Sequence, residues 1–419
     1  MNINDYQQKI NDIAFINCID IKMGDVLHYY LKSEINIKDV CRALKSVFFV
    51  DNYKFSVSGN PNILCLCSSD YNFRPEHKKA FNNVMALIDD KIVMMSEKKI
   101  FSIFIIRNIN FIIKWYKQLK KIEKDSKKRM YYSLKILSIY RTYQSWEKLL
   151  KEKKWNINSF LTYCDVMPLD NFFTQKFNMN KKNTITLQHG TFNIINNSWA
   201  YLGSKSKYFL AESQAAKNTA ISVGYNGKMI VVGSPHHLNE IKKNINREKD
   251  SIGIVMNSPM QPVEDNIEML KELLKYCEKN NKNMFVKLHP ADDNSKYNNI
   301  LLNKNVHIYG KEISIDDFCN MVEIVIVSSS TSFLTALRLN IPCFLFVREN
   351  HDINLFEKTD YLKFTNIEEL ENKIIKIGSD EYKNEVKLIR EYLIGSSDLK
   401  KQYKNIIKSI QKDKCLLGS

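Results

Sequence analysis

The chain has 419 residues, 44% of them hydrophobic and 26% charged, with 62 Lys and Arg against 46 Asp and Glu for a formal net charge of +16. That length is too great for one compact core, so two domains are expected, and the composition excludes a disordered or collagen-like chain. Nine cysteines, at 18, 41, 65, 67, 164, 277, 319, 343 and 415, form no CxxC pair, which argues against a metal cluster or a disulfide framework and for reduced, mostly buried thiols.

From the N-terminus, MNINDYQQKINDIAF lacks the basic start, apolar middle and cleavage site of a secretory signal. The longest apolar run, Phe101 to Ile113, is interrupted by Ser102, Arg107, Asn108 and Asn110 and falls short of the ~20 residues a spanning helix needs. A cytoplasmic location is therefore expected. Asn62 to Cys67 reads as a strand, Ser68 to Pro75 as a polar loop, and Glu76 to Ile88 as an amphipathic helix. Two or three helices are expected over residues 108–154. There, between Lys114 and Lys154, 14 Lys and Arg stand against 4 Asp and Glu, a local net charge of +10. Ser159 to Cys164 and Thr184 to Leu187 read as strands separated by a helix near Asn171 to Phe177. Tyr208 to Ala211 and Met229 to Val232 are strands around a helix from Ser213, its expected N-cap, to Val223.

The polar stretch His237 to Asp250 reads as a linker. Beyond it come strands at Ile252–Met256, Met284–Leu288, Val306–Tyr309, Ile324–Val327 and Cys343–Val347, with helices at Glu264–Glu278, Ile315–Asn320 and Ser332–Leu339. Strands alternating with helices imply parallel sheets, the second of doubly wound nucleotide-binding type. The expected domains are 1–240, carrying the basic helical insertion near 108–154, then 250–390, then a helical tail over 391–419.

Ligands of open α/β sheets bind beyond the carboxyl ends of the strands, so the residues that chemistry needs are expected there. Met284 to Leu288 ends in His289-Pro290, with Lys287 adjacent; an imidazole there can donate to, or protonate, a phosphate oxygen. Ile324 to Val327 runs into Ser328, Ser329, Ser330, Thr331 and Ser332, hydroxyls at a helix start suited to a phosphate. Thr184 to Leu187 ends in Gln188-His189-Gly190-Thr191, where His189 can serve as base or phosphate contact and Gly190 permits close approach. Asp165, following Ser159 to Cys164, is placed to orient His189 or to act as base itself, with Asp70 a rival; a turn or cap role is the structural alternative for both. Ser258 and Pro290 are further expected cleft residues. Neither GxxxxGK[ST] nor GxGxxG occurs, and no apolar-flanked DxD suggests a metal site.

Lys287-Leu-His-Pro290, Ser328-Ser-Ser330, Gln188-His-Gly-Thr191, Val231-Val-Gly-Ser-Pro235 and Thr335-Ala-Leu-Arg-Leu-Asn-Ile-Pro342 together resemble motifs of bacterial GT-B glycosyltransferases of capsule and teichoic-acid assembly. Closest in motif are sialyltransferases with HP and SS elements and CDP-glycerol glycerophosphotransferases. The resemblance covers residues 160–350 and hardly touches the first 150. It implies two Rossmann-like domains facing across a cleft, with His289 and the serines on the donor phosphate and His189 as base or acceptor contact. Thr335 replaces the glutamate with which many such enzymes grip the donor ribose, and the acidic [DE][DE]G element of sialyltransferases has no copy here.

The expected function is that of a metal-independent glycosyltransferase of surface polysaccharide synthesis, without cofactor. It would use a nucleotide-sugar donor, CMP-activated by preference, and a glycan or lipid-linked acceptor, attached peripherally to the anionic inner face of the plasma membrane through residues 114–154. Trp115 and Tyr116 are expected at that interface. The alternatives are a CDP-polyol phosphotransferase, a basic nucleic-acid-binding protein, and a non-catalytic GT-B scaffold. Nucleic acid is not the expected partner.

Overall fold

The computed structural model describes residues 3–13, 21–68, 75–101, 103, 108–188, 203–225, 227–238, 247–257, 263–289, 292, 294–297, 300, 305–328, 330–348, 358–395 and 398–412. The chain divides into two compact units, the first drawing mainly on residues up to 238 and again from 397, the second on 239–396. Each is built on a largely parallel sheet with helices between its strands, so both are Rossmann-like α/β units.

The first sheet contains β1 (Phe49–Ser58), β2 (Ile63–Cys67), β3 (Lys91–Phe101), β4 (Ser159–Thr162), β5 (Asn183–Leu187), β6 (Tyr208–Ala211) and β7 (Lys228–Val231), in the order β1-β3-β2-β4-β5-β6-β7. All neighbours are parallel except β1, which runs antiparallel along β3 from Phe49↔Phe101 to Ser58↔Lys91. Apolar β2 and β4 are buried at every position, as strands covered on both faces must be. β1 and β3 were not anticipated from the sequence. The edge strand β1 exposes Asn52, Lys54 and Ser56 among its apolar residues, and β3, paired between β1 and β2, sets Lys91 and Ser96 among its own, so neither is the uninterrupted apolar run by which a fully buried strand is recognised.

Two helices occupy the expected basic region, Ile109–Leu119 and Ser126–Lys153. The second is not a surface insertion. Tyr131, Tyr132, Leu134, Ile136, Leu137, Ile139, Tyr143 and Trp146 are buried within the core of the first unit. Its exposed lysines lie toward its two ends, Lys127 and Lys151 being separated by about 36 Å of helix. Residues 114–154 therefore present no single cationic face. Trp115 is also buried, and the Tyr116 ring lies under the Arg129 guanidinium at 4.6 Å, so neither is the interfacial anchor expected of it.

The second sheet contains β8 (Ser251–Val255), β9 (Asn283–Lys287), β10 (Val306–Tyr309), β11 (Ile324–Val327), β12 (Cys343–Phe346) and β13 (Lys363–Phe364). All neighbours are parallel, in the order β10-β9-β8-β11-β12-β13. Numbered within the unit this is 3-2-1-4-5-6, the order of dinucleotide-binding sheets. The covering helices begin with the caps their sequences offer: Ser314 accepts from Asp317 N at 3.1 Å, Asn366 from Glu369 N at 3.0 Å and Ser379 from Tyr382 N at 3.1 Å.

The final helix, Leu399–Lys412, packs on the first unit rather than forming a tail of its own. Tyr403, Ile407 and Ile410 are buried there, Tyr403 donates to Gly233 O at 2.8 Å, and Asn183 donates to Ile410 O at 2.7 Å.

At Gly253 on β8 the covering helix touches the sheet without an intervening side chain. A Cβ there would lie 2.7 Å from Val322 Cγ2 and 3.1 Å from Phe318 Cε1, and both residues are fully buried. Gly253→Ala is expected to destabilise the second unit by about 1–3 kcal/mol through overpacking, seen as a lowered urea midpoint at unchanged m-value. An unchanged midpoint would contradict this packing.

Candidate functional site at the strand ends

Register brings the expected donor-side residues to one edge. Val255 pairs with Lys287 on one side and Val327 on the other, so the ends of β9, β8 and β11 are level. Ser328 then follows at the height of Met256 and Leu288, with Asn257 and His289 one residue further. The β9 and β11 ends are two strand spacings apart, about 10 Å, with β8 between them. The strand order reverses between β8 and β11, and helices leave the sheet in opposite directions from such a point, opening a crevice at the carboxyl edge. Asn257 and Ser328 follow the two strands at that point.

Five of the expected site residues do different work from that anticipated, or less of it. Lys287 is 5% exposed and its Nζ donates to the carbonyl of Gly310, beyond β10. Burial lowers its pKa, with Glu312 opposing the shift. Lys287 thus ties β9 to β10, and the expectation that its ammonium faces a ligand is corrected. Ser330 and Ser332 bond each other through their hydroxyls at 2.9 Å, and Ser332 N donates to Ser330 Oγ at 3.3 Å. The helix that follows, Ser332–Arg338, has only seven residues, and its N-cap Thr331 makes no side-chain cap bond. Any anion binding here therefore rests on hydroxyls and loop amides more than on a helix dipole.

Asp165 is the clearest reassignment. It is 1% exposed, and its Oδ2 accepts from Ser204 Oγ at 2.9 Å, Lys205 N at 2.7 Å and Ser206 N at 2.7 Å. Its own N–H donates to Thr186 Oγ1 at 3.2 Å and its carbonyl accepts from Asn171 Nδ2 at 2.9 Å. Burial raises its pKa while the bonds from residues 204–206 pull it back. These bonds make it a clamp between the β4 end and the loop before β6, not a base. His289 is half-buried at the β9 end, and its carbonyl accepts from Asp292 N at 2.9 Å. Asp70, His189, Gly190, Thr191, Ser258, Pro290 and Ser329 lie outside the described residues.

Other side chains at the same edge were missed. Asn257, 1% exposed, donates its N–H to Asn266 Oδ1 at 2.9 Å; Asn266 Nδ2 donates to Tyr297 OH at 3.1 Å, and that hydroxyl donates to Asp292 Oδ2 at 2.8 Å. This chain of bonds fixes the loop after β9 against the end of β8. Arg348, two residues beyond β12, is held by the buried Asp265 carboxylate at 3.1 Å and by Glu268 at 2.7 Å, and remains one-third exposed. A guanidinium oriented by two carboxylates and still open to solvent is preorganised for an anion. The strand-end rule, applied to Cys343–Val347, would have found Arg348. No local signal marks Tyr297. Among the described residues, no group of three or more His, Cys, Asp or Glu could hold a metal ion, and no helix is long and apolar enough to cross a membrane.

No protein-family model matches the chain, and no curated protein matches its sequence. In structure it is similar to the UDP-GlcNAc 2-epimerase of Methanocaldococcus jannaschii, with 14% identity, 83% of this chain and 98% of that one covered, and a TM-score of 0.49. The Neisseria meningitidis UDP-GlcNAc 2-epimerase bound to UDP-GlcNAc aligns at 13% identity, with 84% and 99% covered and a TM-score of 0.45. The glycotransferase of kitacinnamycin aligns at 8%, with 84% and 100% covered and a TM-score of 0.46. Likeness at this level says nothing about activity in this chain.

Asp165→Ala strands three donors in a buried site and is expected to cost about 3 kcal/mol or more, read from chemical denaturation. Nucleotide binding by the refolded variant should be unchanged. A variant Asp165→Asn of full stability that had lost turnover would restore the catalytic reading.

Proposed function

We propose that the chain is a glycosyltransferase that binds a nucleotide-activated sugar at the carboxyl edge of its second sheet. The observation that carries this reading is the reversal of strand order between β8 and β11, flanked by Asn257 and Ser328, with His289 and Arg348 on adjoining strand ends. In the proposed reaction an acceptor hydroxyl attacks the donor's anomeric carbon, and the bond from that carbon to the nucleotide phosphate breaks. His289 supplies a proton or hydrogen bond to the departing phosphate oxygen. The hydroxyls of Ser328 and Ser330 and the Arg348 guanidinium stabilise its charge, an arrangement effective because it is fixed before the reaction. His189 belongs to the acceptor side. No metal ion enters this scheme.

The preference for a cytidine nucleotide carrying sialic acid or a related acidic sugar, and the surface-polysaccharide role, rest on the motif resemblance alone. A thermal-shift series with CMP, CDP, UDP and GDP tests the donor site: a ligand at 100 times its Kd stabilises by about 2.7 kcal/mol. We expect CMP or CDP to raise the melting temperature and His289→Ala to abolish transfer while retaining that shift. UDP acting alone would refute the cytidine preference, and four silent nucleotides would refute the donor site.

Attachment to an anionic membrane remains part of this reading, through a smaller surface than residues 114–154. The helix Ile109–Leu119 exposes Ile109, Ile113, Lys114 and Lys117, and Lys120 and Lys121 follow, a mixed apolar and cationic face suited to a headgroup layer. Replacing Lys114, Lys117, Lys120 and Lys121 by Gln is expected to abolish sedimentation with phosphatidylserine-containing vesicles. Retained sedimentation would exclude this face.

A further inference from the structure

The helix Ile37–Phe48 has two apolar faces, and the first unit covers only one of them. Ala43 and Val47 are buried in the core, while Ile37, Cys41, Leu44 and Phe48 recur at i, i+4, i+7 and i+11 along another face. Ile37 is 67% exposed, Cys41 and Leu44 are exposed, and Phe48 is half-buried. Lys38, Arg42 and Lys45, all exposed, form the adjoining stripe. The single acidic residue of the helix, Asp39, is buried in its first turn, where its carboxylate accepts from Lys32 Nζ at 2.9 Å and Asn36 N at 3.2 Å. The solvent face of this helix is therefore apolar and cationic, and its own residues place no carboxylate there.

The helix leads directly into β1, and the surface continues onto the ribbon that β1 makes with β3. The pairing of β2 with β3 ends at Cys67↔Met95, whereas β1 and β3 stay paired as far as Phe49↔Phe101. The ribbon thus overruns the carboxyl end of β2 by six residues, about 20 Å. At its tip Phe101 is 64% exposed, and Phe49 and Ile100 are exposed beside it. The Phe49 ring meets Phe101 at 5.7 Å, Phe48 stacks on Phe101 at 6.1 Å, and Lys45 Nζ stands over Phe49 at 6.0 Å. Helix and ribbon therefore present one continuous surface, aromatic at the tip and flanked by cations.

An exposed apolar patch rimmed by charge marks an interaction surface, and the sign of the charge narrows the partner. Two copies meeting at this face about a two-fold axis would set Lys38, Arg42 and Lys45 against their own counterparts. A nucleic acid would satisfy the cations but offers the aliphatic Ile37 and Leu44 nothing to bury them. An anionic lipid surface answers both, taking the apolar side chains into its acyl boundary and the cations among its headgroups. We propose that the helix Ile37–Phe48 and the overhanging end of the β1–β3 ribbon dock on an anionic bilayer, with Ile37, Leu44, Phe49 and Phe101 inserted. This docking is separate from the donor chemistry, and it adds an insertion site to the membrane attachment argued for the helix Ile109–Leu119. Because the ribbon projects beyond the carboxyl edge, that edge of the first sheet is turned toward the lipid. A lipid-linked acceptor is then the class of substrate delivered to it, a step that rests on the transferase reading.

Tryptophan at the two ends of the ribbon tests the docking in the full chain, with vesicles of brominated phosphatidylcholine and phosphatidylserine. Phe101→Trp emission, taken above that of the wild type, is expected to shift to the blue and be quenched. Val57→Trp, exposed near the far end of β1, should be unaffected. Equal quenching of both would overturn the orientation. Replacing Ile37, Leu44 and Phe101 together by Gln should weaken vesicle binding about tenfold or more at unchanged melting temperature. Replacing Lys38, Arg42 and Lys45 by Gln should weaken it about 10²-fold at low salt. If the second variant loses binding while the first keeps it, charge alone holds the protein and the insertion fails. If the wild type binds vesicles and Phe101→Trp is not quenched, another face carries the attachment and this docking is excluded. A wild type that ignores the vesicles overturns the docking outright. The nucleotide thermal shift should be the same in every variant. Its absence from the wild type would refute the transferase reading, and with it the lipid-linked acceptor, while quenching at Phe101→Trp would still uphold the docking.

Discussion

Parallel pairing across a strand order that reverses once is the constraint on which both units depend. A central parallel strand must be paired on both sides, and its sequence neighbours can reach it only through helices that return over the sheet. Where the order changes direction, those helices diverge and the carboxyl ends are left uncovered. Val255, level with both Lys287 and Val327, puts Asn257, Ser328 and His289 at one such opening. In the first sheet Leu66 pairs with Thr162, which puts Tyr163 level with Cys67 at the other.

Not every polar side chain at an edge is there for a ligand. Asp165 and Lys287 are almost wholly buried and their charged atoms bond backbone groups of adjacent segments. Leaving those backbone groups unpaired would cost about 1–3 kcal/mol each, so both residues stabilise loops that cross a strand end. Arg348 and His236 differ in being held by neighbours yet partly exposed. That combination, fixed geometry with an accessible face, separates candidate ligand contacts from clamps.

The basic region illustrates how charge and burial part company. A net +10 over residues 114–154 suggests a cationic surface, but the middle of the helix Ser126–Lys153 is a core element with aromatic and aliphatic residues on nearly every face. Long lysine and arginine side chains make this possible, since their stems cover apolar neighbours while the charge reaches water.

The chain's residues by themselves determined most of the alternation of strands and helices from Asn62 onward, β3 excepted, the doubly wound second unit, and the strand ends at which to look, because uninterrupted apolar runs and their stop signals are local properties. The edge ribbon of β1 and β3 escaped that reading, its half-exposed strands being mixed in composition. So did the joining of the last helix to the first unit, since nothing in Leu399–Lys412 states which core Tyr403 enters. Only the tertiary structure decided that Asp165 is a clamp, that Arg348 is aimed by Asp265, and that His77 and His236 share Tyr163. These side chains lie from 73 to 159 residues apart or bond to distant loops, and whether a polar group meets a partner or solvent depends on which segments the sheet order brings across its end.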